Sequence, residues 1–279
     1  MRERAGRAGS ACVVFLHGSG FSSGVFDRQF ASPDLAGLRL LAIDLPGHGA
    51  SDPARDPAAT YCFGGLAGVV GEVLAALDPG RVVLVGWSLG GHVALDMLDE
   101  NPRVAGALIM GAPPLPANTL GSLRGLHFSR DMLLASKARF SQTDAARFER
   151  LCLGVYADGR HVPALRSVDP KARPMLARSV FFGHNRDQRA VAMNARKPLV
   201  IVHGEDDPVI RTSYMRSVIE APQFGGRGHM LIGAGHAPFM QAQGRFEAIL
   251  AEFVEDLAAR SDRPAARGEP VRPSGRAAA

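Results

Sequence analysis

A serine held between glycines, in the stretch RVVLVGWSLGGHVALDM at residues 81–97, is the first group in this chain that invites chemistry. A serine hydroxyl is a poor nucleophile at neutral pH. It becomes a good one when an imidazole takes its proton and a carboxylate fixes the imidazole's tautomer. Both partner types occur downstream in short polar stretches: HGEDDPV offers Asp206 and Asp207, and GAGHAPF offers His236. Ser88, one of the two aspartates and His236 can therefore serve as nucleophile, orienting acid and general base of an acyl transfer. The residue types leave the acid open between Asp206 and Asp207. In a chain with 32 glycines the Gly-x-Ser-x-Gly string is weak by itself, so the elements around it must carry the argument.

Acyl transfer also needs N–H donors aimed at the developing oxyanion. The amide of Leu89, directly after the serine, is the first candidate. The stretch HGSGFSSG after the first apolar run offers Ser19 as the second, with Gly20 as the fallback. The histidines of His-Gly, Gly-His-Gly and Gly-Gly-His, namely His17, His48 and His92, read as structural residues that buttress their turns.

Those groups have to be delivered by elements. Short apolar, largely β-branched runs recur at 13–16, 40–43, 82–85, 107–110, 199–202 and 230–232, separated for the most part by helical stretches that include 65–77, 89–98, 213–219 and 245–257. Such alternation specifies a doubly wound, mostly parallel sheet covered on both faces, with ligand groups displayed at the strand ends. Ser88, the Asp206–Asp207 pair and His236 each follow a strand candidate, whereas the end of the fourth run reads GAPPLP and holds no acid. The run 82–85 followed at once by a helix from Leu89 predicts strand, tight turn, helix, with Gly86 and Gly90 small enough to let the two pass. The rhythm breaks over 113–196, where helical patterns dominate. This block reads as an inserted cap between two core segments, 1–112 and 197–259. Its best helix places Ala145, Phe148, Leu151, Cys152, Val155 and Tyr156 on one stripe.

Composition narrows the remaining classes. Hydrophobic residues make up 46% and charged residues 21%, ordinary values for a globular enzyme, and no run is long enough to span a membrane. The net charge of +5 is concentrated at the ends, leaving the body near neutral, which argues against a nucleic-acid surface. Residues 260–279, rich in Pro, Ala and Arg, read as a disordered basic tail. No signal-peptide pattern precedes the first run, so a cytoplasmic location is expected. Cys12, Cys62 and Cys152 are too scattered for a disulfide framework or a metal site, and read as buried small apolar residues.

Taken together, LHGSGFSSGVF, DLPGHGASD, GWSLGGH, HGEDDPV and GAGHAPF resemble the α/β-hydrolase superfamily over nearly the whole chain. The Ser, Asp, His order is that of this fold. Within it, GWSLGGHVALDM, GAPP, DQRAV and GAGHAPF are most similar to metal-independent N-acyl-homoserine lactonases with a small helical cap. The resemblance implies a serine hydrolase that opens a lactone or cleaves an ester through an acyl-enzyme, with a small-molecule substrate and no cofactor or metal. The family's acid stands three residues after the loop glycine, which falls on Asp207; its nucleophile falls on Ser88 and its base on His236. Trp87 and Phe148 are expected beside the substrate. The chain departs from the lactonase pattern in carrying Ser19 where that family has an asparagine, and Phe148 where it has a cap tyrosine. Relatives also carry a β-hairpin ahead of the His-Gly strand, and twelve residues precede Val13, so that hairpin is expected to be missing and the sheet edge open to association. The other activities compatible with these residues are a general carboxylesterase and a cofactor-free perhydrolase; a triad-bearing small-molecule receptor is the alternative outside catalysis.

Overall fold

Residues of alternating parity point to opposite faces of a strand, and in this chain both faces are apolar. The computed structural model describes residues 1–7, 10–117, 123–183 and 185–261. Its seven strands are β1 (Arg2–Arg4), β2 (Cys12–Leu16), β3 (Arg39–Ile43), β4 (Val82–Trp87), β5 (Val104–Met110), β6 (Leu199–Gly204) and β7 (Arg227–Leu231). They lie in the order β1-β3-β2-β4-β5-β6-β7, parallel throughout except for β1. Cys12, Val14 and Leu16 pack into one core cluster and Val13 and Phe15 into the other, as the two-residue period requires. The first cluster is closed by the helices Phe63–Leu77, Leu89–Met97 and Thr212–Ile219, and the second by Asp27–Ala31 and Gln243–Ser261.

Several boundaries differ from the sequence reading for local reasons. Arg2–Arg4 pairs antiparallel with β3, Arg2 opposite Ala42 and Arg4 opposite Leu40, so the edge expected to be open carries a short strand. Its arginine-rich pattern gives no apolar run to read. The last strand starts three residues earlier than the apolar run suggests and ends before Ile232, which is 74% exposed. Cys62 is half-buried, and its Sγ accepts the Gly65 amide at 3.3 Å as the cap of the helix Phe63–Leu77.

Between β5 and β6 the described residues form helices, chief among them Gln142–Leu153, Val162–Ser167, Ala172–Phe182 and Gln188–Met193. The stripe expected on Gln142–Leu153 is buried at Ala145, Phe148 and Cys152. It stops at Gly154, whose φ of +59° ends the helix, and leaves Val155 94% exposed. This block is tied to the loop that follows β6: Leu126 forms a bridge with Ile210, and the His127 amide donates to the Val209 carbonyl at 2.8 Å. The expected tail at 260–279 lies outside the described residues apart from Arg260 and Ser261, which continue the last helix. Among the described residues no helix is long and apolar enough to cross a membrane.

Candidate active site

The turn after β4 is as tight as Gly86 and Gly90 imply. A Cβ on Gly90 would lie 2.0 Å from the Leu16 carbonyl oxygen, and one on Gly86 would lie 2.3 Å from the Gly90 carbonyl oxygen. Neither position has room for a side chain. Between them Ser88 adopts φ 52°, ψ −116°, a conformation that costs a non-glycine residue on the order of 1–3 kcal/mol. The surroundings enforce it: the Ser88 amide donates to the Met110 carbonyl at 2.8 Å, and the Ser88 carbonyl accepts the Gly91 and His92 amides at 2.9 and 3.2 Å. No side chain caps the helix that follows. The strain leaves Ser88 on the wall of a cavity of about 470 Å³.

Ser19, Leu89 and Gly111 line the same cavity. The amides of Ser19 and Leu89 have no acceptor among the described residues. Backbone donors without acceptors, on the wall of a cavity that also holds a serine hydroxyl, are groups of the type that can bind an oxyanion. Most of the remaining wall is apolar and comes from the region between β5 and β6 and from Val209 and Ile210. Its segment 126–136 joins the bridge residue Leu126 through a short loop to the 3-10 helix Met132–Ser136, and carried no periodic signal that could have marked it in the sequence.

His236 follows β7 and is 2% exposed. It stands behind Gly111, where a Cβ would lie 3.0 Å from the His236 Cε1. Its Nδ1 is 2.9 Å from Asp207 Oδ2 and 3.1 Å from Oδ1, while Asp206 is exposed. Asp207 Oδ1 also accepts the Val209 and Ile210 amides at 2.7 and 2.9 Å. Burial alone would raise the pKa of this carboxyl. The charge and hydrogen bond of His236, with His203 and the Ile210 amide, outweigh it and hold the group below the ordinary carboxylate range.

Trp87 and Phe148 are placed differently from the sequence expectation. Neither lines the cavity. The Trp87 ring is fully buried between Phe21 and Phe239, and its Nε1 donates to the His236 carbonyl at 2.7 Å, so it fixes the backbone of the histidine. Phe148 is 5% exposed and packs on Phe21 and Phe140, within the core cluster that also holds Trp87. The sequence reading also passed over Asp44 at the end of β3, whose oxygens accept the Ser23 and Ala50 amides and tie two loops together. His17 and His48 do buttress turns: His17 Nε2 accepts the Leu45 amide at 3.0 Å, and His48 Nδ1 lies 2.9 Å from the Pro46 carbonyl. His92, in contrast, lines the cavity.

Buried histidines contribute to the acid stability, His161 among them, its pKa lowered chiefly by burial. Desolvation is the largest cause holding His17, His92 and His203 down to about 4 and His48 to about 3. Each titrates near 6.5 when unfolded, so between roughly pH 4 and 6.5 the unfolded chain binds more protons than the folded one. Stability is therefore full above about pH 6.5 and is lost as the pH falls through that window, at up to ~1.4 kcal/mol per pH unit for each histidine. Thermal melts should show a flat Tm from pH 8 to 7 and a steepening fall below 6.5. A Tm unchanged down to pH 5 would contradict burial of neutral rings.

A parallel sheet of this order, with a strained serine after one strand and a hydrogen-bonded Asp–His pair after two others, defines a hydrolase of the α/β class. Residues 13–249 match the model of the alpha/beta hydrolase family, and the chain belongs to that family. Among solved structures it is similar to a mutant of N-acyl homoserine lactonase AidH complexed with N-hexanoyl homoserine lactone, at 30% identity and a TM-score of 0.85 over 92% of this chain and 94% of that one. It also resembles an esterase from Rhodococcus sp. ECU1013, at 27% identity and a TM-score of 0.72 over 91% and 94% of the two chains. In sequence it is 29% identical over 244 residues to the pimeloyl-[acyl-carrier protein] methyl ester esterase of Nitrosomonas europaea, covering 84% of this chain and 92% of that one. These three proteins are esterases and a lactonase, and this chain is a hydrolase of the same class.

Proposed function

We propose that the protein is a serine hydrolase that opens lactones or cleaves carboxylic esters through an acyl-enzyme, with N-acyl-homoserine lactones as its substrate class. The observation that carries this reading is that Ser88, strained at φ 52°, shares one largely apolar cavity with Ser19 and Leu89, whose amides have no acceptor among the described residues. In the proposed cycle Ser88 Oγ attacks the substrate carbonyl and its proton passes to His236 Nε2. The amides of Leu89 and Ser19 hold the oxyanion while Asp207 stabilises the imidazolium. Collapse breaks the acyl–oxygen bond, and the leaving alkoxide takes the proton from His236; in a lactone that oxygen stays tethered. A water deprotonated by His236 then attacks the acyl carbon, Ser88 recovers its proton, and the free acid leaves. The helices between β5 and β6 act as a cap that keeps bulk water from the acyl chain.

The test is a panel of acyl-homoserine lactones and p-nitrophenyl esters of graded chain length. Burying each further methylene is worth about 0.8 kcal/mol when complete, so kcat/KM should rise up to about fourfold per CH2 until the cavity is filled. Chelators should leave the rates unchanged. If no acyl-homoserine lactone opens while short p-nitrophenyl esters turn over readily, the lactonase reading fails and a general carboxylesterase replaces it. Product limited to about one molecule per protein would instead make it a receptor.

A further inference from the structure

One helical turn beyond the nucleophile stands a second histidine that the reaction leaves unused. The His92 amide donates to the Ser88 carbonyl at 3.2 Å, and both residues line the cavity. The His92 ring stacks on Phe63, with centroids 4.4 Å apart and planes inclined by 8°, and is 8% exposed. Its two nitrogens have different fates, and Gln188 decides which is which.

Gln188 Nε2 lies 3.0 Å from the His92 carbonyl oxygen and 2.8 Å from Asp96 Oδ1. A carbonyl and a carboxylate only accept, so the amide must present its NH2 group to them and turn its Oε1 toward the imidazole. That Oε1 is 2.6 Å from His92 Nδ1. An amide oxygen cannot donate, so the proton of this bond belongs to Nδ1. Burial holds the ring's pKa down to about 4, which keeps it neutral at pH 7 and leaves Nε2 a bare lone pair. Nε2 has no partner among the described residues, and it is not among the buried unpaired atoms. It is thus an acceptor that solvent or a ligand can reach, and His92 is a wall residue of the cavity that holds Ser88.

We infer that His92 Nε2 is a substrate-reading acceptor, selecting acyl groups that carry an amide N–H close to the scissile carbonyl. This rests on the reading of the cavity as the substrate site. Serine hydroxyls such as Ser19 and Ser129 can rotate to donate or accept, and Arg130 only donates; Nε2, with its tautomer fixed by Gln188, can only accept. A substrate amide in a largely apolar cavity needs a partner for its N–H, and one that presents a lone pair at the same place is repelled. Specificity then comes as much from rejecting the wrong group as from binding the right one.

Two esters that differ at one atom test this: methyl N-hexanoylglycinate, and methyl 4-oxononanoate, in which CH2 replaces the N–H. Calorimetric titration of Ser88→Ala is expected to show about tenfold tighter binding of the amide ester. In Ser88→Ala/His92→Phe, which keeps a ring on Phe63, the ratio should fall to about one. Ser88→Ala/His92→Gln, whose amide oxygen can accept, should recover part of it. A purely structural role would weaken both esters together and leave the tenfold ratio standing. That result, or the absence of any preference in Ser88→Ala itself, including binding of neither ester, overturns the inference whether or not the double variants fold. Turnover of the same pair by the unaltered protein reads the proposed hydrolysis separately. A binding preference without turnover would sink the hydrolase cycle and leave the role of His92 intact.

Discussion

Ser88→Ala is expected to reduce kcat at least about a hundredfold while the protein keeps its fold, because loss of the nucleophile of a triad routinely costs far more than that. The substitution removes one oxygen from the cavity wall and leaves every backbone bond of the turn in place. Retention of more than about 1% of the rate would show that another group attacks the ester. Ser88→Gly is the informative companion. It lacks the same hydroxyl but also lacks the Cβ that makes φ 52° costly. Glycine normally lowers stability by loosening the unfolded chain, yet here the relief of local strain should win by about 1 kcal/mol, raising Tm by roughly 2–4 °C over Ser88→Ala. A lower Tm for the glycine variant would mean that the turn is unstrained.

How far the sequence speaks depends on which physical signal an element leaves in it. β2, β4 and β6 are buried on both faces and therefore appear as uninterrupted apolar runs. β1 and the first part of β7 do not, since Arg2–Arg4 and Arg227 to His229 are polar, and only pairing with a neighbouring strand makes them extended. The turn at Ser88 was legible because its constraint is steric: two glycines flank a residue that must bend, and the contacts at Gly86 and Gly90 are the reason. The cavity wall was not. Residues 126–136 reach it through a bridge from Leu126 to Ile210, a bond from His127 to Val209 and one from Arg211 to the Leu126 carbonyl, tertiary links with no period in the chain. Trp87 and Phe148 mislead for the converse reason. Aromatic residues near a nucleophile satisfy the sequence pattern equally well as core and as pocket, and here they fill the core behind the site. His92 reads from sequence as a structural histidine, and only the orientation of Gln188, 96 residues away, gives its free nitrogen a defined character.

The choice between the two aspartates yields the other large effect. Asp207→Asn should lower kcat by about 10²–10⁴-fold, whereas Asp206→Asn should change it by less than about twofold. The asymmetry follows from the hydrogen bonds. Asp207 Oδ1 accepts two backbone amides, from Val209 and Ile210, so an asparagine must keep its oxygen there and turn its NH2 toward His236. An NH2 facing Nδ1 forces that nitrogen to accept. The ring proton then moves to Nε2, the atom that has to take the proton of Ser88, and the base is blocked in the wrong tautomer. The loss should fall on kcat with little change in KM, because the acid lies behind the histidine and Asp207 is not part of the cavity wall. Asp206 is exposed, and its backbone amide donates to the Ala234 carbonyl at 2.9 Å, a bond that asparagine keeps. Equal damage from the two substitutions would separate the orienting role from the 2.9 Å contact between Asp207 and His236 and would leave this pair without a catalytic assignment.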